Sequence, residues 1–407
     1  MSIRPVTVLE VGTARTVALV GDAAPDGSPR VLGFGQCETA GMRKSRVTDR
    51  EQVADCAAAA ISAAREDARC TIGSVVLLCS LGDVRDAAVS AAADVEGGED
   101  GVVDAAAVAA ARAGLPAAST VPEGRFAIGN FPTGFTLDGG SARLLDPLEM
   151  HARRIEAHAL LLHTDDHLMG DLVDAVELKS GVEVEEEFFT GLAAAGAALS
   201  DEQKRDGALL LDFGAGSTSW CGYADGVPVC GGSLAVGGDH VTNDVYVAFR
   251  TGSRLMAERL KLESATVDLG SVERGERVPV PVAFGAPDRT IPRFSLAQVA
   301  EARMRETLGI VRERLRAQGA LDRFGAVVLS GGGARLRGLP AMVSEVFSAP
   351  TFAPAAASGD RRLDADPLRN AAAWGGLRAA VARARNADTA RRRGIWGRLL
   401  GGDGAAG

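Results

Sequence analysis

No apolar run in the chain reaches the roughly 18–20 residues that a membrane-spanning helix needs. The N-terminus enters a strand almost at once and offers no charged, apolar and cleavable succession of a secretory signal, so a cytoplasmic location is expected. Positive charge is in deficit, with 44 Lys and Arg against 53 Asp and Glu and a net charge of −9. That balance argues against nucleic acid as a partner of the body of the protein. The six cysteines (37, 56, 70, 79, 221 and 230) form no C-x-x-C pair and no metal-ligand spacing, which predicts reduced thiols. The pattern G-x-x-x-x-G-K-[ST] is absent, so a Walker-type phosphate loop is excluded. Gly214-Ala215-Gly216 is not followed by a helical pattern, which excludes a dinucleotide fingerprint.

What is present is a duplication. Val8-Leu9-Glu10-Val11-Gly12-Thr13 is followed by Thr16 to Val20, a polar turn, and Val31 to Phe34. About two hundred residues later, Leu209-Leu210-Leu211-Asp212-Phe213-Gly214 leads through Ala215, Gly216, Ser217 and Thr218 to Trp220 to Tyr223, a turn, and Val227 to Cys230. Each copy is an apolar strand with a carboxylate near its end, a Gly two places later, a hydroxyl residue and two more strands. Such a turn lets backbone N–H groups face an anion while the carboxylate holds a metal. A third glycine turn, Gly331-Gly332-Gly333, follows the strand Ala326 to Leu329. Two related lobes closing on one Mg²⁺–phosphate group are therefore expected, with an adenosine seated near the third turn.

At 407 residues the chain is long enough for several domains. The first three strands lead into a helix over 49–69, for which Thr48 and Glu51 form a capping box, and then the buried strand Ser74 to Cys79. Residues 82–159 break this rhythm and read as an inserted module. Strand character at 157–163 and helices over 165–179 and 190–199 precede the second hairpin. Beyond it, helices over 239–249 and 253–263, a strand over 278–284 and a long helix opened by a capping box at Ser295 make a smaller subdomain. The expected division is 1–81 with 160–205 as the first lobe, 82–159 as the insertion, 206–245 with 320–385 as the second lobe, 246–319 as the small subdomain, and 386–407 as a linker and amphipathic helix. His163 and His167 sit at a carboxylate-rich helix start that needs no metal. The run Glu183 to Glu187 reads as a solvated acidic face, and Trp220 and Trp374 as packing residues.

These motifs resemble the actin, sugar-kinase and DnaK superfamily, and within it the FtsA family of bacterial cell-division proteins. Glu10 to Arg15 resembles that family's first phosphate motif and Asp212 to Thr218 its second. Gly191 to Ala194 and Gly237 to Asp244 are similar to its two connecting helices. Ala257-Glu258-Arg259-Leu260-Lys261 is similar to its nucleoside-contacting helix, and Ser330 to Leu339 to its adenosine motif. The resemblance implies an α/β fold of two ribonuclease-H-like lobes of the actin-like ATPase type, with an inserted small α+β subdomain. It implies ATP and Mg²⁺ as cofactors. Gly12, Thr13, Ala14, Arg15, Gly214, Ala215, Gly216, Ser217 and Thr218 would hold the phosphates, and Glu10 and Asp212 the metal. Gly237, Gly238, Glu258, Lys261, Gly331, Gly332, Gly333 and Arg335 would hold the adenosine. No catalytic residue is assigned. Ser219 stands where relatives carry an acidic residue, which predicts weak or no ATP hydrolysis. The implied partners are FtsZ, further copies of the chain in a filament, and later division proteins through residues 82–159.

The C-terminus has its own chemistry. On a helix, Ile395, Trp396, Leu399 and Leu400 share one face, with Arg391 and Arg398 on the other, and Arg392 and Arg393 extend the basic cluster at the start. An apolar face containing Trp beside a basic cluster suits an anionic membrane surface. Peripheral attachment to the cytoplasmic face of the inner membrane at the division site is expected. Two other readings share the fold: a PilM-like adaptor of a pilus or secretion assembly, and a small-molecule kinase. The basic Trp-containing tail argues against the first, and the lack of a catalytic carboxylate in a substrate cleft against the second.

Overall fold

The computed structural model describes residues 5–116, 121–280, 289–354 and 358–400, the last thirteen of these by backbone alone. Strands Val6–Val11 (β1), Arg15–Ala23 (β2) and Pro29–Glu38 (β3) form an antiparallel succession. Two short strands, Met42–Arg43 (β4) and Arg46–Val47 (β5), make a small hairpin before helix Arg50–Ala68 (α1). Strand Ser74–Cys79 (β6) then runs parallel to β1. β1, β2 and β6 are covered on both sides, which is why they read as unbroken apolar runs. The cap of α1 is Asp49, whose carboxylate accepts from Gln52 N, whereas Thr48 Oγ1 donates to Gly41 O. Either residue type can cap a helix; the tether to Gly41 occupies Thr48 and moves the start by one residue.

The inserted module is a three-stranded antiparallel sheet with one helix. Its elements are Arg85–Asp94 (β7), Ala105–Ala113 (α2), Arg125–Leu137 (β8) and Arg154–Asp165 (β9), in the order β7-β9-β8. β9 thus runs across the boundary drawn at residue 159. The root of the module is fastened to the second lobe. Val84 N donates to Ser233 Oγ at 2.9 Å, Ser233 N donates to Val84 O at 3.0 Å, and Asp86 accepts from Gly231 N at 2.9 Å and Gln318 Nε2 at 2.6 Å.

The first lobe resumes with Asp166–Ser180 (α3), capped by Asp165 onto Leu168 N, then Glu183–Phe189 (β10), Thr190–Ala198 (α4) and Asp201–Asp206 (α5). β10 corrects the sequence expectation of a solvated acidic segment. It lies parallel to β6 at the sheet edge, buries Phe188 and Phe189, and pairs Glu186 with Arg383 at 2.6 Å. An edge strand with one face wet tolerates glutamates, and their run masked the strand. Among the described residues no group of three or more His, Cys, Asp or Glu gathers as a metal site, and His163 Nδ1 accepts from Arg125.

The second lobe repeats the first. Ala208–Phe213 (β11), Thr218–Ala224 (β12) and Val227–Leu234 (β13) are followed by Gly238–Phe249 (α6), Arg254–Ser264 (α7), the hairpin Arg277–Val280 (β14) with Arg289–Pro292 (β15), and Arg293–Ala317 (α8). Of the strand expected over 278–284, the part beyond 280 lies outside the described residues. Ser295 does not open α8. The helix starts directly after Pro292, and Arg293 is held by Glu276 at 2.9 Å, so Ser295 falls inside the first turn. Ala326–Ser330 (β16), Leu339–Phe347 (α9), Thr351–Phe352 (β17), Arg361–Asp364 (α10) and Pro367–Leu400 (α11) complete the chain. The sheet orders β3-β2-β1-β6-β10 and β13-β12-β11-β16-β17 are the same arrangement twice. Trp220 and Trp374 are buried as expected. Helix α11 is continuous through 386–390, where a linker was expected. The side chains of Arg391, Arg392, Arg393, Ile395, Trp396, Arg398, Leu399 and Leu400 lie outside the described residues. Among the described residues no helix is long and apolar enough to cross a membrane.

Candidate functional site

The β1–β2 and β11–β12 turns close by the same hydrogen bond. Gly12 N donates to Arg15 O at 2.9 Å, and Gly214 N donates to Ser217 O at 2.9 Å. The two turns meet across a cleft of about 1310 Å³ between the lobes. Every residue expected at the site lines this cleft: Glu10, Gly12, Thr13, Ala14 and Arg15 from one lobe, and Asp212, Gly214 to Thr218, Gly237, Gly238, Glu258, Lys261, Gly331 to Gly333 and Arg335 from the other. Their convergence follows from the duplicated topology, because both turns stand at the same end of equivalent strands.

The two carboxylates are largely buried. Burial pushes Glu10 up to about 7, with Arg15 pulling it down and Asp212 adding to the rise. Glu10 Oε2 is buried without a hydrogen-bond partner, and the nearest cation, Arg15, stands 3.9 Å away. Asp212 is also raised by burial, and Ser330 Oγ donates to its Oδ1 at 2.7 Å. Two carboxylates with an orphaned oxygen suit Mg²⁺, which takes one or two such ligands and completes its octahedron with phosphate oxygens and water.

At the other end of the cleft, Lys261 Nζ pairs with Glu258 at 2.7 Å and donates to Gly238 O at 3.2 Å and Thr242 Oγ1 at 2.9 Å. This network joins α7 to the start of α6. The start of α6 is in turn fixed to the second hairpin, with Gly238 N donating to Gly214 O at 3.0 Å and Asp239 N to Ala215 O at 2.9 Å. Gly331 has φ 84° and a Cβ there would stand 2.4 Å from Phe213 O, so the third turn demands glycine. Arg335 pairs with Asp366 at 2.5 Å.

Asp239 and Arg337, inside the second connecting and adenosine motifs but given no role there, also line the cleft, as does Arg369, which sequence reasoning missed. Burial and the neighbouring Arg15 push Arg369 down. Arg369 and Asn370 begin α11, and Arg15 Nη1 donates to Asn370 Oδ1 at 2.8 Å while Nη2 reaches Arg369 O. No local motif marks these positions; only the return of α11 to the cleft brings them in. Ser219 does not line the cleft. It is buried in β12, opposite Asp212 in the β11–β12 register.

A family model described as "Cell division protein FtsA" matches residues 209–371. The chain is 31% identical over 354 residues to the cell division protein FtsA of Escherichia coli strain K12, covering 83% of this chain and 81% of that one. It is 27% identical over 345 residues to FtsA of Bacillus subtilis strain 168, covering 83% and 76%. Among solved structures, a PilM–PilN type IV pilus biogenesis complex superposes with a TM-score of 0.63 at 16% identity, over 92% of this chain and 98% of the other. MreB5 of Spiroplasma citri bound to ADP superposes with a TM-score of 0.53 at 16% identity, over 95% and 98%. These two likenesses establish the actin-like ATPase fold. With its twin phosphate-type turns in a shared cleft and 31% identity to FtsA of E. coli over most of both chains, this chain belongs to the FtsA family of cell division proteins.

Proposed function

We propose that the chain binds ATP with Mg²⁺ between its lobes, assembles into filaments on the cytoplasmic face of the membrane, and tethers FtsZ filaments there through its C-terminal helix. The observation that carries the nucleotide part is the meeting of both glycine turns and both carboxylates in one cleft. The orphaned Glu10 Oε2 supports a metal, and the MreB5 neighbour was solved with ADP. Glu10 and Asp212 would hold Mg²⁺, which supplies positive charge between phosphate oxygens. The turns at Gly12–Arg15 and Gly214–Thr218 would cradle the phosphates, and Glu258, Lys261 and the Gly331–Gly333 turn the nucleoside.

Millimolar Mg-ATP should raise the melting temperature by mass action. Asp212→Ala should remove the Mg²⁺-dependent part of that rise. An unchanged melting curve in the native protein would overturn the nucleotide reading. The membrane and FtsZ parts rest on the family and on the tail composition, and the module at 82–159 is the proposed contact for neighbouring copies and later division proteins. A PilM-like adaptor is the second reading, favoured by the TM-score of 0.63. Attachment of the tail to anionic vesicles separates the two.

A further inference from the structure

The tip of the β4–β5 hairpin lies where the two lobes meet. Arg43 pairs with Arg46, so the turn consists of Lys44 and Ser45, with φ 51° and 55°. Two successive side-chain-bearing residues in the left-handed region are unusual, and glycine or asparagine is the ordinary choice for this turn. Ser45 N donates to Thr13 Oγ1 at 3.2 Å, in the first glycine turn. On the other side stands Gly216 of the second turn, where a Cβ would come within 2.7 Å of Ser45 N and 2.1 Å of Thr13 Oγ1. Ser45 is 1% exposed and its hydroxyl is buried without a partner. A hydroxyl left unmatched between two phosphate-type turns is a group waiting for an acceptor or donor.

We propose that the Lys44–Ser45 turn is a third phosphate-contacting element, engaged by the terminal phosphate of a nucleoside triphosphate and not reached by a diphosphate. The inference rests on the nucleotide reading above. The nucleoside end of the cleft is built from Glu258, Lys261 and the third glycine turn, all on the second lobe. In this proposal the last group of a phosphate chain running from there lies at the junction of Thr13 and Gly216, both of which line the cleft. A phosphate oxygen competes with Thr13 Oγ1 for the Ser45 N–H, and the phosphate accepts from both the amide and the hydroxyl of Ser45. The exposed Lys44 ammonium adds charge beside it.

The test is calorimetric titration of the full chain with Mg-ADP and with a non-hydrolysable Mg-ATP analogue, for the native protein, Ser45→Ala, Ser45→Gly and Lys44→Gln. Ser45→Ala should weaken triphosphate binding about tenfold, the worth of one hydrogen bond to a charged group, and leave diphosphate binding unchanged. Lys44→Gln should act in the same direction. Ser45→Gly should lose the same discrimination while raising the melting temperature of the nucleotide-free protein, which separates a lost contact from a lost fold. If Ser45→Ala leaves the ratio of the two affinities as in the native protein, the turn is structural and the proposal fails while the nucleotide reading stands. If the native protein binds neither nucleotide, both fail together.

Discussion

Glu10 and Asp212 occupy matching positions on β1 and β11, and the two lobes bring their carboxylates into one cleft, where burial drives Glu10 up to about 7 and the charge on Asp212 adds to the rise. Held apart on separate proteins, each would be an unremarkable strand-end acid. Brought together, they form a site that is uncomfortable without a cation.

That discomfort has a pH signature. The folded pKa of Glu10 lies above its unfolded value of 4.5, so the native state binds a proton that the unfolded chain releases. Its stabilising effect is complete below about 4.5 and is lost as pH rises to about 7, at most about 3 kcal/mol across that window. Melts in EDTA from pH 4.5 to 8 should show native stability falling relative to Glu10→Gln as pH rises. Parallel pH curves for the two proteins would refute the assignment. Mg-ATP should flatten the difference by favouring the ionised form.

Ser219 offers a second test on the same row of side chains. It lies opposite Asp212 in the register, so Ser219→Asp places a carboxylate on the face that carries Asp212. The variant should melt below the native protein in EDTA, because two like charges share a buried site. In Mg-ATP most of that loss should be recovered, and phosphate release should rise above the native rate. Native turnover is expected below about one per second; faster release would remove the case for Ser219 as the brake.

Gly331→Ala is expected to cost about 3 kcal/mol or more, since the backbone is left-handed there and the added methyl meets Phe213 O at 2.4 Å. Urea titration measures the loss. At temperatures where the variant is still folded, nucleotide affinity should also drop, because the third turn must shift away from β11. A shift in midpoint smaller than about 1 kcal/mol would mean that the turn has room to give.

Membrane attachment should follow the tail alone. Deleting residues 391–407, or making Trp396→Glu, should abolish co-sedimentation with anionic vesicles and leave the Mg-ATP melting shift intact. Added salt should weaken native binding, because part of the attraction is screened. Equal pelleting of the truncated and full chains would move the anchor elsewhere and favour the PilM-like reading.

The cleft was legible in the sequence because its chemistry is local. A buried strand, an acid, a glycine and a hydroxyl residue fit within ten residues, and duplication made the pattern hard to mistake for an ordinary turn. What could not be read was long-range or ambiguous. Arg369 enters from a helix more than three hundred residues from Arg15, and nothing near it in the chain announces a ligand site. β10 was hidden because its glutamates are tolerated at a half-wet edge, while Phe188 and Phe189 carry its burial. The cap of α1 slipped from Thr48 to Asp49 because two good capping residues stand side by side and a distant carbonyl chose between them.

The fastening of the module at Ser233 and Asp86 has a mechanical consequence. Its chain leaves from the first lobe, but its root is sewn to β13 and to Gln318, just past α8, of the second. Parting the lobes must therefore either tear those stitches or swing the module as an outrigger with the second lobe. A change of a few degrees at the cleft floor would then appear, amplified by the length of the module, at the surface farthest from it.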